Sequence, residues 1–360
     1  MVAGRVVSSV VQRQVRYVTP ASPSAAKGLV AEIYRQVEDE MRIVIPPVLL
    51  HSPSPDVLAA YWMLMREPLM TPGSSDRLGK EAVAAAVSVA NICPYCVDMH
   101  STGMYDLGDE DDAEAIAADR VPDIVDERTR KLAAWGRVAH LPDAPLVWQP
   151  PFAEEERAEL VGVAVGFHYL TRMVNVFLSN FLLPPRLGPG ARRRLKRGIA
   201  RVLAPSLRQV NEVGRSVPLL PEAELPAVAR WASGNPAVAQ AVARSYAAFE
   251  AAGERSLSPE VRHLVLRYLA NWRGEETGLS RDWCEEAILD LPYEDQPAGR
   301  LALLTALASY QVDEEVIEEF QLRRPGDSAL VDAASWASFA AARQVGSWHV
   351  PVAVSSALAA

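Results

Sequence analysis

Cysteine is scarce in this chain: Cys93, Cys96 and Cys284 are the three in 360 residues. So sparse and odd a set excludes the disulfide framework of a small secreted domain. It points to a reducing compartment, where a retained thiol pair serves catalysis or metal binding. Basic residues are also short, 36 against 45 acidic, for a formal charge of −9. A molecule of that charge repels polyanions, so neither nucleic acid nor an anionic membrane surface is expected as a partner. Long uncharged apolar runs are missing as well. The most apolar stretch, Leu160–Leu183, is interrupted by His168, Arg172 and Asn175, and so fails the ~18-residue test for a membrane span. The first twenty residues carry Arg5, Arg13 and Arg16 and no signal-peptide core. The expectation is a cytoplasmic protein without a membrane anchor. Period-2 alternation of β-branched residues is almost absent, which excludes a sheet-based fold.

What the chain does have is helical periodicity over nearly its whole length, with 49% hydrophobic and 22% charged residues, ordinary values for a globular chain with a sizeable core. The fold class is therefore all-α. Expected helices include 25–41, 54–68, 76–91, 94–106, 154–182, 190–214 and 222–233. Ser54-Pro55-Asp56 and Ser258-Pro259-Glu260 are clear start signals. Residues 160–181 are apolar almost all round, which predicts a helix running through the middle of a bundle.

Length and order together suggest a duplication, since 360 residues exceed a single core of ~250–300. His51-Ser52-Pro53-Ser54-Pro55-Asp56 opens a helix that leads to Glu81 and then Ala90-Asn91. Gly234-Asn235-Pro236 opens another that leads to Glu260 and then Ala270-Asn271. The offset is 180 at Asn91/Asn271 and 170 at Leu160/Leu330, so two tandem, diverged repeats are expected. Between them, 187–215 reads as a connecting helix carrying Arg192, Arg193, Arg194, Lys196, Arg197 and Arg201. A phosphate-binding patch is one reading of these residues. A solvated face, neutralised by the acidic surplus elsewhere, is the one expected here. The acidic stretch 106–112 reads as a helix N-terminus whose carboxylates complement the dipole.

One window carries chemistry: Glu81, Ser88, Asn91, Cys93-Pro94-Tyr95-Cys96 and His100. Two cysteines separated by two residues can close a small disulfide ring, or leave one sulfur as thiolate with the other poised to resolve it. Pro94 suits a first helical turn, which would set Cys93 at the cap, where unpaired N–H groups favour a thiolate. His100 lies one turn beyond Cys96, within reach for proton exchange, and Glu81 on the preceding helix can orient it. Two blander readings stand beside this. CxxC with a histidine can supply three zinc ligands, but a closed site needs a fourth and Cys284 has no partner spacing. The cysteines can also be inert buried hydrophobes. A thioredoxin-type motif is rejected, because the segment before Cys93 is an Ala/Val helix where that fold needs a strand.

The string Glu81-(x11)-Cys93-x-x-Cys96-x-x-x-His100, with Ser88, Asn91 and Tyr95, resembles the signature of the AhpD-like alkylhydroperoxidases in the carboxymuconolactone decarboxylase superfamily. The downstream segment 167–177 resembles one common in longer members. The resemblance covers most of residues 40–185. It implies an all-helical, oligomeric protein that reduces hydroperoxides through the CxxC pair. It further implies that Cys96 is the peroxidatic thiol, Cys93 the resolving thiol, and Glu81 with His100 the proton relay. No bound cofactor or metal is implied; the redox-active disulfide Cys93–Cys96 would require an external dithiol reductant protein for turnover. Some members place a histidine where this chain has Tyr95.

On this reading 1–45 is an N-terminal extension with the first helix, 46–186 the redox-active repeat, 187–215 the connector and 216–360 a degenerate repeat. Opposite Glu81, Cys93, Cys96 and His100 the second repeat has Val261, Arg273, Glu276 and Ser280. One active site per chain follows, with Cys284 a plain buried thiol. Ser88, Tyr95, His168 and Arg172 are the expected substrate-pocket residues, although a satisfied core pair is the blander reading of the last two. A thiol peroxidase is thus the expected function. The alternatives are a decarboxylase on the same fold and a non-catalytic zinc-held or redox-responsive module.

Overall fold

Proline and small capping residues begin most of the helices. The computed structural model describes residues 14–351 apart from 180 and 185, so Arg5 and Arg13 fall outside it. The first half holds α1 (Gly28–Met41), α2 (Pro46–His51), α3 (Pro55–Met70), α4 (Arg77–Ala90), α5 (Pro94–Met104), α6 (Glu110–Ala117), α7 (Glu127–Val138), α8 (Pro145–Trp148) and α9 (Arg157–Phe177). α10 (Pro189–Leu207) connects to α11 (Pro236–Ser256), α12 (Pro259–Asn271), α13 (Asp282–Ile288), α14 (Gln296–Leu307), α15 (Glu314–Arg323) and α16 (Asp327–Ser347). Among the described residues the one element of β pairing is an isolated antiparallel bridge between Val15 and Leu178. The all-α expectation holds.

Several boundaries differ from those the sequence suggested. α9 stops at Phe177, because Leu178 turns to extended backbone (φ −115°, ψ 165°) and pairs with Val15. α10 stops at Leu207, seven residues short of the expected 214. The expected helix 222–233 is reduced to a 3-10 segment, Ala227–Ala232, since Pro226 pushes the residue before it out of the helical region.

α9 passes the length and hydropathy test for crossing a membrane, yet its entire apolar window is buried inside the protein. It is the central core helix, packing on α3, α4 and α16, while α11 lies against α3 and α16. One hydrophobic core therefore runs through both halves, from Val18 to Val345. The four helices α3, α9, α11 and α16 form its centre.

α4, which carries Glu81, is buried on two sides. Val83, Ala84 and Val87 face the main core. Ala82, Ala85 and Ala86 face a second, smaller core built with Met104, Ala113, Ile116 and Ala133. Small residues let α7 approach closely: a Cβ on Gly136 would lie 3.2 Å from the Ala86 methyl. A helix gripped on both faces is a rigid base for a site.

Candidate functional site

The turn between α4 and α5 sets the thiol pair. α4 ends with Ile92 N–H donating to Val89 O at 3.1 Å and Cys93 N–H to Ser88 O at 3.0 Å, the paired bonds of a Schellman motif. The left-handed position of that motif usually holds glycine, but here it is Ile92, at φ 51°. A β-branched residue in this conformation stores strain of about 1–3 kcal/mol. The turn delivers Cys93 directly to the N-cap of α5, with Pro94 at the first helical position.

α4 and α5 together hold a buried acid–base dyad. His100 Nδ1 lies 2.6 Å from Glu81 Oε2, and Arg77, one turn before Glu81, donates from Nε to Oε1 at 2.7 Å. Burial alone would push the Glu81 carboxyl up. Arg77 and then His100 outweigh it and hold the group down at about 2. Glu81 is therefore ionised and accepts from His100, which puts the imidazole proton on Nδ1 and leaves Nε2 as the basic nitrogen. The edge of the His100 ring meets Phe167 of α9 at 4.5 Å between centroids, which fixes its plane.

Both thiols are free and buried. Burial, reinforced by the neighbouring Cys93 thiol, pushes the Cys96 thiol well above its ordinary range. The expected thiolate-favouring environment is thus not what surrounds Cys96: desolvation outweighs the helix N-terminus, and a base is needed to ionise it. Among the described residues no hydrogen bond joins Cys96 to His100. Cys93, by contrast, lines a cleft of about 400 Å³ together with Ile92, Val97, Ala117, Arg192 and Lys196.

The basic connector contributes to that cleft, so its reading as a solvated face holds for Arg194, Arg197 and Arg201, which are exposed, but not for Lys196. Arg192 donates to Asp98 of α5 at 2.6 Å, and Lys196, 1% exposed, pairs with Glu114 at 2.6 Å and bonds Ser101 at 3.2 Å. Arg193 and Arg197 pair with Asp111 and Glu110 of the acidic stretch. The charges are neutralised as expected, but by packing α10 onto α5 and α6.

The remaining expected residues stand apart from the cleft. Ser88 Oγ bonds Ala84 O at 2.7 Å within its own helix, and the buried Tyr95 hydroxyl donates to Gln14 Oε1 at 3.4 Å. His168 is fully buried beside Asn91, whose Nδ2 lies 2.9 Å from His168 Nδ1. Burial, with the Arg172 charge, holds that imidazole neutral. Arg172 donates to the backbone oxygens of Ala306 and His168. Cys284 is buried, which raises its thiol to about 12. Of the positions opposite the dyad and thiols, Arg273, Glu276 and Ser280 are exposed and Val261 is core. Among the described residues no group of three or more histidine, cysteine, aspartate or glutamate side chains could hold a metal ion.

Two contributors escaped the sequence reading. Arg77 was visible, being four residues before Glu81 on one helix face. Asp98 and its partners Arg192 and Lys196 lie too far apart in sequence to be paired without the fold.

Comparison with known proteins agrees with this architecture. Residues 56–137 match the model of the carboxymuconolactone decarboxylase family. A protein named alkyl hydroperoxide reductase from Mycobacterium tuberculosis is 36% identical over 334 residues, covering 93% of this chain and 94% of its own. The matched family segment spans α3 to α7 and so contains both thiols and the Glu81–His100 dyad, while the likeness to the mycobacterial protein extends over both halves. The chain belongs to the carboxymuconolactone decarboxylase family, as an AhpD-like member.

Proposed function

We propose that this protein is a thiol peroxidase that reduces organic hydroperoxides with Cys96 as the attacking sulfur and Cys93 as the resolving one. The observation that carries the reading is the Glu81–His100 dyad at 2.6 Å, held by Arg77 and set on the two helices that flank the pair. The mycobacterial relative's name supports the same chemistry.

In the cycle, His100 Nε2 takes the proton of Cys96, whose burial otherwise keeps it a thiol. Ionised Glu81 stabilises the imidazolium that results. The thiolate attacks the terminal peroxide oxygen, the O–O bond breaks, and the departing alkoxide takes the proton back from His100 as alcohol, leaving a sulfenic acid. Cys93 condenses with it, releasing water and forming the disulfide. An external dithiol then reduces the disulfide, and Cys93, buried but on the wall of the cleft, is the sulfur it is expected to attack. Glu81 is an orienting anion throughout and carries no proton itself, a narrower role than that of a relay member.

The second half supplies the packing partners α11 and α16, and we read it as a degenerate copy without redox chemistry. Mass spectrometry after one equivalent of cumene hydroperoxide tests the mechanism. The wild type is expected to form the Cys93–Cys96 disulfide, and Cys93→Ser to stop at a sulfenic acid on Cys96. Peroxide consumption retained in Cys96→Ser refutes the assignment.

A further inference from the structure

A second cavity, of about 40 Å³, lies where the halves meet, and Ile92 separates it from the thiol cleft. Its wall gathers hydrogen-bond donors that nothing in the protein uses. Arg172 is 5% exposed and gives Nε to Ala306 O at 2.8 Å and Nη1 to His168 O at 2.6 Å. Its Nη2 has no hydrogen bond, and no carboxylate lies within ion-pair distance among the described residues. Ser309, 4% exposed, accepts from Asn175 at 3.1 Å and keeps its own hydroxyl proton undirected. His140 Nδ1 is buried without a partner. The carboxylates on the lining, Glu275 and Glu276, are exposed at its mouth.

A guanidinium taken out of water without a counter-charge is strongly unfavourable, and buried charges in proteins are as a rule paired. We propose that this cavity binds the carboxylate of a small organic monoacid, seated against Arg172 Nη2, the Ser309 hydroxyl and His140 Nδ1. The volume suits a group the size of one or two waters, each about 30 Å³ in the liquid, which is the size of a carboxylate head. The planar fork of arginine matches that head. Burial lowers Arg172 to about 10, still charged at neutral pH, and holds His140 near 4, a neutral ring that can donate from Nδ1. Glu275 and Glu276 at the rim repel dianions and so select for single charge. The site is independent of the thiol chemistry, and its occupancy is measurable without peroxide turnover.

The test is thermal denaturation of the full chain in sodium acetate, against sodium chloride and sodium sulfate at matched ionic strength. Acetate is expected to raise Tm saturably, with chloride and sulfate giving the shallow, unsaturating response of a general salt effect. Arg172→Gln removes the saturable response. Because that variant can also disturb the core, Ser309→Ala serves as the second: loss of one hydrogen bond weakens acetate binding about five-fold. An acetate response in the wild type indistinguishable from that of chloride, or an unaltered acetate midpoint in Ser309→Ala, overturns the proposal.

Discussion

Replacing Arg77 with methionine isolates what keeps Glu81 charged. Glu81 is held at about 2 against an ordinary 4.5, which corresponds to about 3.5 kcal/mol. The Arg77 charge is the strongest single influence that lowers it, so its removal should destabilise the fold by about 2 kcal/mol at pH 7. The sign follows from linkage. A depressed carboxyl stabilises the folded state above its unfolded pKa and loses that contribution as pH falls through the folded one. The wild-type advantage should therefore be full above about pH 5 and shrink between about pH 4.5 and pH 2. Urea denaturation of wild type, Arg77→Met and Arg77→Lys across pH 3–7 measures it, with the lysine variant recovering part of the loss. Peroxide consumption should fall as well, because Glu81 loses the partner that holds its carboxylate against His100. A difference between wild type and Arg77→Met that is the same at pH 3.5 and pH 7, or absent at both, would refute the reasoning.

Other perturbations follow from the same geometry. Iodoacetamide should alkylate Cys93 ahead of Cys96 and Cys284, since Cys93, though buried, lines the cleft beside α10; peptide mapping that finds either of the others modified first contradicts this. Glu81→Gln should lower kcat by about 10²–10⁴ with little change in KM, and equal activity in stopped-flow assays would remove Glu81 from the mechanism. Asp98→Asn strips the buried Lys196 and Arg192 of a shared partner; a loss of about 2 kcal/mol is expected by denaturation, together with faster Cys93 alkylation as α10 loosens. Gly253→Ala would put a methyl 2.2 Å from Trp336 Cδ1 between α11 and α16, and the overpacking should cost about 2 kcal/mol despite the gain in helix propensity. An unchanged urea midpoint would show that the indole can move aside.

The parts of this molecule that can be read from sequence are those governed by local spacing. Cys93, Cys96 and His100 share one short helix, and Glu81 lies on the helix just before it, so their proximity follows from helical period and one tight turn. The burial of Cys96 does not follow, because it depends on a core built from elements distant in sequence. For the same reason the desolvation that raises the Cys96 thiol was not foreseeable from the motif. The position of α10 was illegible as well: its basic residues look identical whether they meet water or Asp98, Glu110 and Glu114. Tyr95, Ser88 and His168 have polar groups that a sequence reading assigns to a pocket. In the fold the Tyr95 and Ser88 hydroxyls are spent on Gln14 and Ala84, and His168 spends Nδ1 on Asn91 while its buried Nε2 has no partner.

The unbroken core from Val18 to Val345 also bears on how such a chain can change over time. Arg273, Glu276 and Ser280 sit on the surface, where substitution leaves the interior untouched. Phe249, Trp336 and Phe339, by contrast, close the same interior that α9 occupies. Substitutions at those surface positions are therefore expected to be tolerated, while deletion of the second half would open the first. The second half is expected to serve as a buttress for the first, with its interior and its surface evolving at different rates.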